Sequence, residues 1–190
     1  IEGITGTNDG SLGNNTGNTS TLTGENGNNS WDITGTNSGT YNTTLAFSGF
    51  NNLTGGSSSD TFSLAPSGSV LGSGVVTGLI DGRGGANTLI GRDGDNVWAT
   101  SDSNTGTVWV ANGARYAAFT AIQSLVGGNA ADAFTFDVNF NGSVDGGTGT
   151  DSVNLSALAL VDVTLGAAGF SSIEEFFGNI TNSILRGENV

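Results

Sequence analysis

The chain has no Cys, no His, no Met and no Lys, and Pro66 is its only proline. Four Arg (Arg83, Arg92, Arg115 and Arg186) carry all its side-chain positive charge, against 17 acidic residues, for a net charge of -13. Each absence excludes a class. Without Cys or His there is no zinc finger, no iron–sulfur cluster and no haem ligated by either residue. Nucleophilic or acid–base chemistry through Cys or His goes with them. Four scattered Arg make no basic patch, so nucleic acid is excluded as a partner. Nothing approaches 18 consecutive apolar residues, so no transmembrane segment is expected. The chain begins at Ile1 rather than Met, which reads as processing or as a piece cut from a longer protein.

What is present is Gly (33), Thr (24), Asn (22) and Ser (21), together 100 of 190 residues. Such a composition suits a flexible spacer. The apolar residues argue instead for order. They fall in short runs with the two-residue period of strands, as in Thr107-Val108-Trp109-Val110 and Ala133-Phe134-Thr135-Phe136-Asp137-Val138-Asn139-Phe140. Turn dipeptides such as Asp81-Gly82, Asp93-Gly94 and Asp145-Gly146 separate them. Frequent Gly disfavours helix. The segments 113–125 and 171–176 could each form a helical turn or a strand entry.

The sequence repeats itself. Phe47-Ser48-Gly49-Phe50-Asn51-Asn52-Leu53-Thr54-Gly55 matches Phe119 to Gly127 and Phe170 to Gly178, and Ile1 to Gly6 matches the second half. The anchoring glycines are 49, 72 and 51 residues apart, giving modules at approximately 1–49, 50–121, 122–172 and a partial 173–190 within one elongated domain. Inside the modules lies a nonapeptide of form Gly-Gly-x-Gly-x-Asp-x-apolar-x. Gly146 to Asn154 fits it fully, and Gly55 to Ser63 and Gly127 to Thr135 lack only the third Gly. Weaker copies at Gly24, Gly82 and Gly91 carry Asn29, Asn87 and Asn96 in the Asp position. The glycines permit sharp turns, the Asx side chain satisfies turn amides, and the eighth residue points inward. One such unit cannot bury its apolar face alone, whereas stacked units can. The fold expected is all-β, a parallel β-solenoid (β-helix or β-roll) of about 8–10 rungs. Turn spacing also suits a β-sandwich, the alternative.

The nonapeptides resemble the RTX (repeats-in-toxin) calcium-binding repeats. The longer modules, Phe47 to Phe62 and Phe119 to Phe134, are similar to those of large secreted bacterial adhesins and surface filament proteins. The resemblance implies an extracellular location and a role in attachment, biofilm or surface layers. It also implies Ca2+ as the one cofactor, with Asp60, Asp132 and Asp151 as the sixth-position carboxylates and Asp93 and Asp95 in the tandem copy. Two departures count against calcium. Asn87 and Asn96 replace Asp in the tandem pair, and Arg83 and Arg92 occupy its second positions.

The remaining candidates read as structural. Trp31 and Trp98 fill the inward eighth position, and Trp109 faces opposite to Val108 and Val110. Tyr116, beside Arg115, packs inward at a corner. The adjacent pair Glu174-Glu175 would face opposite sides of a strand, as edge solvation rather than a catalytic pair, and no enzyme is expected. Eight Asn-x-Ser/Thr triplets (Asn14, Asn18, Asn28, Asn42, Asn52, Asn141, Asn154 and Asn179) are glycosylation acceptors if the chain meets that machinery. Both ends keep a strand-like pattern. The partner expected is therefore another copy, joined head to tail or by strand exchange, or the adjacent repeats of the same chain. As alternatives, the chain is a calcium-stabilised adhesin stalk, or a carbohydrate-binding or carbohydrate-active β-helix meeting surface polysaccharide.

Overall fold

A computed structural model describes residues 4–5, 20–64, 74–111, 113–138, 140–158, 161–164, 169–179 and 183–186. These residues form strands and turns, with no helix among them. In chain order the strands are β1 (Ile4–Thr5), β2 (Thr21–Thr23), β3 (Ser30–Gly35), β4 (Ser38–Tyr41), β5 (Leu45–Ser48), β6 (Asn52–Thr54) and β7 (Thr61–Ser63). Then follow β8 (Leu79–Asp81), β9 (Thr88–Ile90), β10 (Asn96–Asp102), β11 (Thr105–Val110), β12 (Arg115–Thr120), β13 (Ser124–Gly128) and β14 (Ala133–Phe136). The last are β15 (Ser143–Gly147), β16 (Ser152–Asn154), β17 (Val161–Thr164), β18 (Phe170–Ser171), β19 (Glu175–Phe177) and β20 (Ser183–Arg186). Both segments that could have been helical turns are strand: 115–120 lies in β12 and 175–177 in β19.

Two nine-stranded mixed sheets hold nearly all of these strands. The first runs β1-β5-β4-β3-β7-β9-β13-β15-β18 and the second β19-β16-β14-β10-β11-β12-β8-β6-β2, while β17 and β20 pair separately. Outside two antiparallel insertions, β3-β4-β5 and β10-β11-β12, the pairing is parallel and the chain alternates between the sheets. One strand in each sheet makes one pass. Successive passes need not be equal in length, because loop closure grows only slowly costlier with residue number.

Side-chain alternation fixes which columns face the core. Along the first sheet the register aligns Trp31, Phe62, Leu89, Leu125, Val144 and Phe170. Along the second it aligns Leu22, Leu53, Ile80 and Phe119, and separately Trp98, Phe134, Val153 and Phe176. These residues belong to one hydrophobic core or pack against it. One position earlier, the hydroxyl residues Ser30, Thr61, Thr88, Ser124 and Ser143 line up on the opposite face. Slipping any strand by one residue would exchange the two columns, so burial specifies the register.

The Phe-x-x-apolar repeat marks the return from one sheet to the other. Its third residue takes a left-handed conformation in all three copies: Gly49 (φ 78), Ala121 (φ 53) and Ser172 (φ 53). Only glycine adopts that region without a Cβ penalty. Ala121→Gly is therefore expected to stabilise the chain by about 1 kcal/mol, seen as a higher denaturant midpoint with unchanged slope.

Candidate functional site

The sixth position of each nonapeptide immediately precedes or opens a strand, and its side chain reaches across to a neighbouring pass. At the entry to the first sheet, Asp60 Oδ1 accepts from Asn29 N (2.9 Å) and Asn29 Nδ2 (2.6 Å), Asn87 Oδ1 accepts from Asp60 N (2.8 Å), and Gln123 Oε1 accepts from Asn87 N (2.8 Å). At the entry to the second sheet, Asp132 Oδ1 accepts from Asn96 N (2.8 Å) and Asn96 Nδ2 (2.6 Å), Asp151 Oδ1 from Asp132 N (2.8 Å), and Glu174 Oε2 from Asp151 N (2.7 Å). Two ladders result, Asn29–Asp60–Asn87–Gln123 and Asn96–Asp132–Asp151–Glu174. The Asn and Asp members are all buried. Each bond satisfies an amide that burial would otherwise leave unpaired.

Each ladder begins in the same way. Tyr41 donates its hydroxyl to Asn29 Oδ1 (2.5 Å), and Tyr116 donates to Asn96 Oδ1. Beside them Trp31 stacks on Phe62 (5.6 Å between centroids, 13° between planes) and Trp98 on Phe134 (5.5 Å, 14°). Phe47 and Phe119 meet these indoles edge-on. One cluster has thus been built twice, once in each sheet, each at an antiparallel insertion.

In the nonapeptides that begin at Gly55, Gly82, Gly127 and Gly146, the first glycine is required by the sixth residue. A Cβ on Gly82 would collide with Ala121 O and lie 2.5 Å from Asn87 Nδ2, and one on Gly127 would collide with Asp132 Oδ2 and Gly146 O. The Asx side chain occupies the space above that glycine, against a carbonyl from the adjoining pass. Asn87 uses the contact well, because Nδ2 donates to Ala121 O (3.0 Å) and Gly84 O (3.1 Å).

The carboxylates differ. Asp60 Oδ2 accepts from Gly56 N (2.8 Å). Asp132 Oδ2 and Asp151 Oδ2 are buried with no hydrogen-bond partner. Burial lifts the Asp132 carboxyl from 3.8 to about 7. The Asn96 hydrogen bonds oppose the rise, and Asp151 and Asp95 add to it. The Asp151 carboxyl is also raised, first by burial, against the Asp132 amide bond, and further by Glu174 and Asp145. Tyr116 is raised by burial, with Arg92 opposing and Asp132 reinforcing the rise. The buried Arg92 lies over the Tyr116 ring (4.3 Å) and donates Nε (2.8 Å) and Nη2 (2.5 Å) to Gly74 O. Burial lowers its pKa, with Tyr116 opposing.

Calcium takes six to eight oxygen ligands. The five acidic residues that the resemblance singles out do not converge. Asp60 belongs to one ladder and Asp132 and Asp151 to the other. Asp93 Oδ1 accepts from Asn129 Nδ2 (2.9 Å), and Asp95 is exposed. Among the described residues no three Asp, Glu, His or Cys side chains form a metal-sized group. The Oδ2 atoms of Asp132 and Asp151 each border, together with a carbonyl oxygen, the space over the first glycine of the turn.

Of the other candidates, Trp31, Trp98 and Tyr116 are core residues, and Trp109 sits half-buried, paired in register with Val97 and Arg115. Glu174 is the terminal member of the second ladder, so it does more than solvate an edge. Gln123 and Tyr41 escaped the sequence reading. Gln123 has a visible signal, because Phe-x-x-Ile-Gln at 119–123 and Phe-x-x-Ile-Glu at 170–174 place the two ladder ends at one repeat position. No protein-family model, no curated protein and no solved structure matches the chain. Among the described residues no helix is long and apolar enough to cross a membrane.

Proposed function

We propose that the chain is an extracellular structural protein, a parallel β-solenoid that associates end to end with copies of itself into a surface layer or filament. The observation that carries this reading is the pairing at the sheet edges. Among the described residues β2 and β19 bound the second sheet and β1 and β18 the first, each bonded on one side only. In a parallel stack the free amides and carbonyls at one edge complement those at the other, so a heterologous contact repeats without closing. The edge strands β2 and β19 share one burial pattern, exposed on either side of a half-buried centre (Leu22 and Phe176), and Phe177 next to that centre is 51% exposed. The low charge, absent Lys and abundance of Asn, Thr and Ser support the extracellular setting.

Light scattering and negative-stain imaging over a concentration series, in EDTA and in calcium, test the reading. Fibres that lengthen with concentration and persist in EDTA are expected, and Phe177→Lys is expected to shorten them while leaving the circular dichroism unchanged. A monomeric rod at every concentration would refute self-association and leave the stalk of a larger adhesin.

A further inference from the structure

The sixth-position Asn and Asp residues of the two ladders differ in which atom they place over the first glycine of their turns. Above Gly82, Asn87 presents an NH2 group to Ala121 O. Above Gly127, the same space holds Asp132 Oδ2 and Gly146 O, and above Gly146 it holds Asp151 Oδ2 and Ser172 O. Two oxygens border the space where the turn at Gly82 has a donor and an acceptor. Both carboxyls are sealed from water, Asp132 at 1% and Asp151 at 0% exposure, and their Oδ2 atoms have no partner. An ionised carboxylate there would be desolvated and would face a carbonyl dipole. A neutral acid is isosteric with Asn and reproduces its bond.

We propose that Asp132 and Asp151 are neutral carboxylic acids in the folded stack, each Oδ2–H donating to the carbonyl over its glycine, so that the second ladder is a proton-operated latch that holds in mild acid and loosens as it ionises. The end-to-end reading is not needed for this. The charged and titratable surroundings favour the neutral form. Asp132 is approached by Asp95 and Asp151, and by Tyr116 beneath the Arg92 guanidinium. Asp151 is approached by Glu174 and Asp145. One cation stands among three further carboxyls, Asp95, Glu174 and Asp145. In the first ladder Asp60 Oδ2 also lies with a carbonyl oxygen, Gly82 O, over its glycine, but it already has a partner, because it accepts from Gly56 N (2.8 Å).

The sign follows from linkage. A carboxyl protonated more readily in the folded than in the unfolded chain adds stability in acid, and that stability is lost between the ordinary Asp range and the raised one. The two carboxyls are neighbours in one ladder, so the loss is a property of the pair. The test is thermal denaturation of the full chain from about pH 5 to about pH 8, in EDTA and in about 5 mM calcium. The wild-type Tm is expected to fall by about 5 °C or more over that range in both media. Asp132→Asn with Asp151→Asn is expected to remove the slope and to exceed wild type at the alkaline end. A wild-type Tm that is level or rises with pH would overturn the proposal, as would its recovery by calcium at the alkaline end. Should the double variant not fold, carboxyl 13C titration of the wild type decides. Two carboxyls protonating well above the ordinary range support the latch, and none doing so refutes it.

Discussion

Gly82→Ala is expected to destabilise the chain by about 3 kcal/mol or more, among the largest effects of any one-carbon change in it. The backbone at Gly82 is not left-handed, so the cost is not conformational. The added Cβ would occupy the place of Asn87 Nδ2 and collide with Ala121 O, forcing apart two passes that meet at a hydrogen bond. Neither neighbour can yield cheaply, since one is backbone and the other a buried side chain bonded to both passes. Gly94→Ala is the control. It lies in the next nonapeptide, where an added Cβ meets nothing within 4 Å, and it is expected to be neutral or slightly stabilising through the unfolded chain. Urea denaturation of both variants checks the pair, and equal losses would show that the turn does not depend on that space.

Asn87→Asp is the second large effect, expected to cost about 2–4 kcal/mol at neutral pH. The variant keeps the oxygen that accepts from Asp60 N but loses the donations to Ala121 O and Gly84 O, setting an ionised oxygen against two carbonyls. Acidification should return part of the loss as the new carboxyl is protonated. Asp60→Asn inverts the logic, because it turns a donor toward Gly56 N, and it should cost about 1–3 kcal/mol at neutral pH. The two swaps change no shape, only which atom carries hydrogen. Denaturation midpoints at neutral and mildly acidic pH separate them, and a neutral outcome for either would mean that water enters the turns.

The nonapeptide pattern treats Asp and Asn alike at its sixth position, and much of the architecture is legible at that level. The spacing from Gly127 to Asp132 to Phe134 lies within one turn, where a short side chain folds back over a glycine and an apolar residue follows on the inward side. The same spacing marked Trp31 and Trp98 as core. The insertions carry a signature of their own outside the nonapeptide period: Asn-Ser-Gly-Thr at 37–40 and Asn-Thr-Gly-Thr at 104–107. Asn37 (φ 54) and Asn104 (φ 57) turn the hairpins there, and a Cβ on Gly39 or Gly106 would strike the backbone of Asp32 or Ala99.

The turns, the strand alternation and which side chains face inward are legible in the chain, because each depends on spacing within a few residues. The tertiary structure decided the partners. Ladder neighbours lie 31, 27 and 36 residues apart in one sheet and 36, 19 and 23 in the other, separations that follow no single period. Loop closure barely distinguishes these lengths, so no local rule names the residue that ends up opposite. Only the assembled stack places Tyr41 and Tyr116 at the ladder heads and recruits Gln123 and Glu174 to the far ends. It also gives Asp60 an amide for its second oxygen and leaves those of Asp132 and Asp151 without a partner. Three carboxyls alike in sequence become chemically unlike because solvation and hydrogen bonding belong to the neighbours that folding supplies.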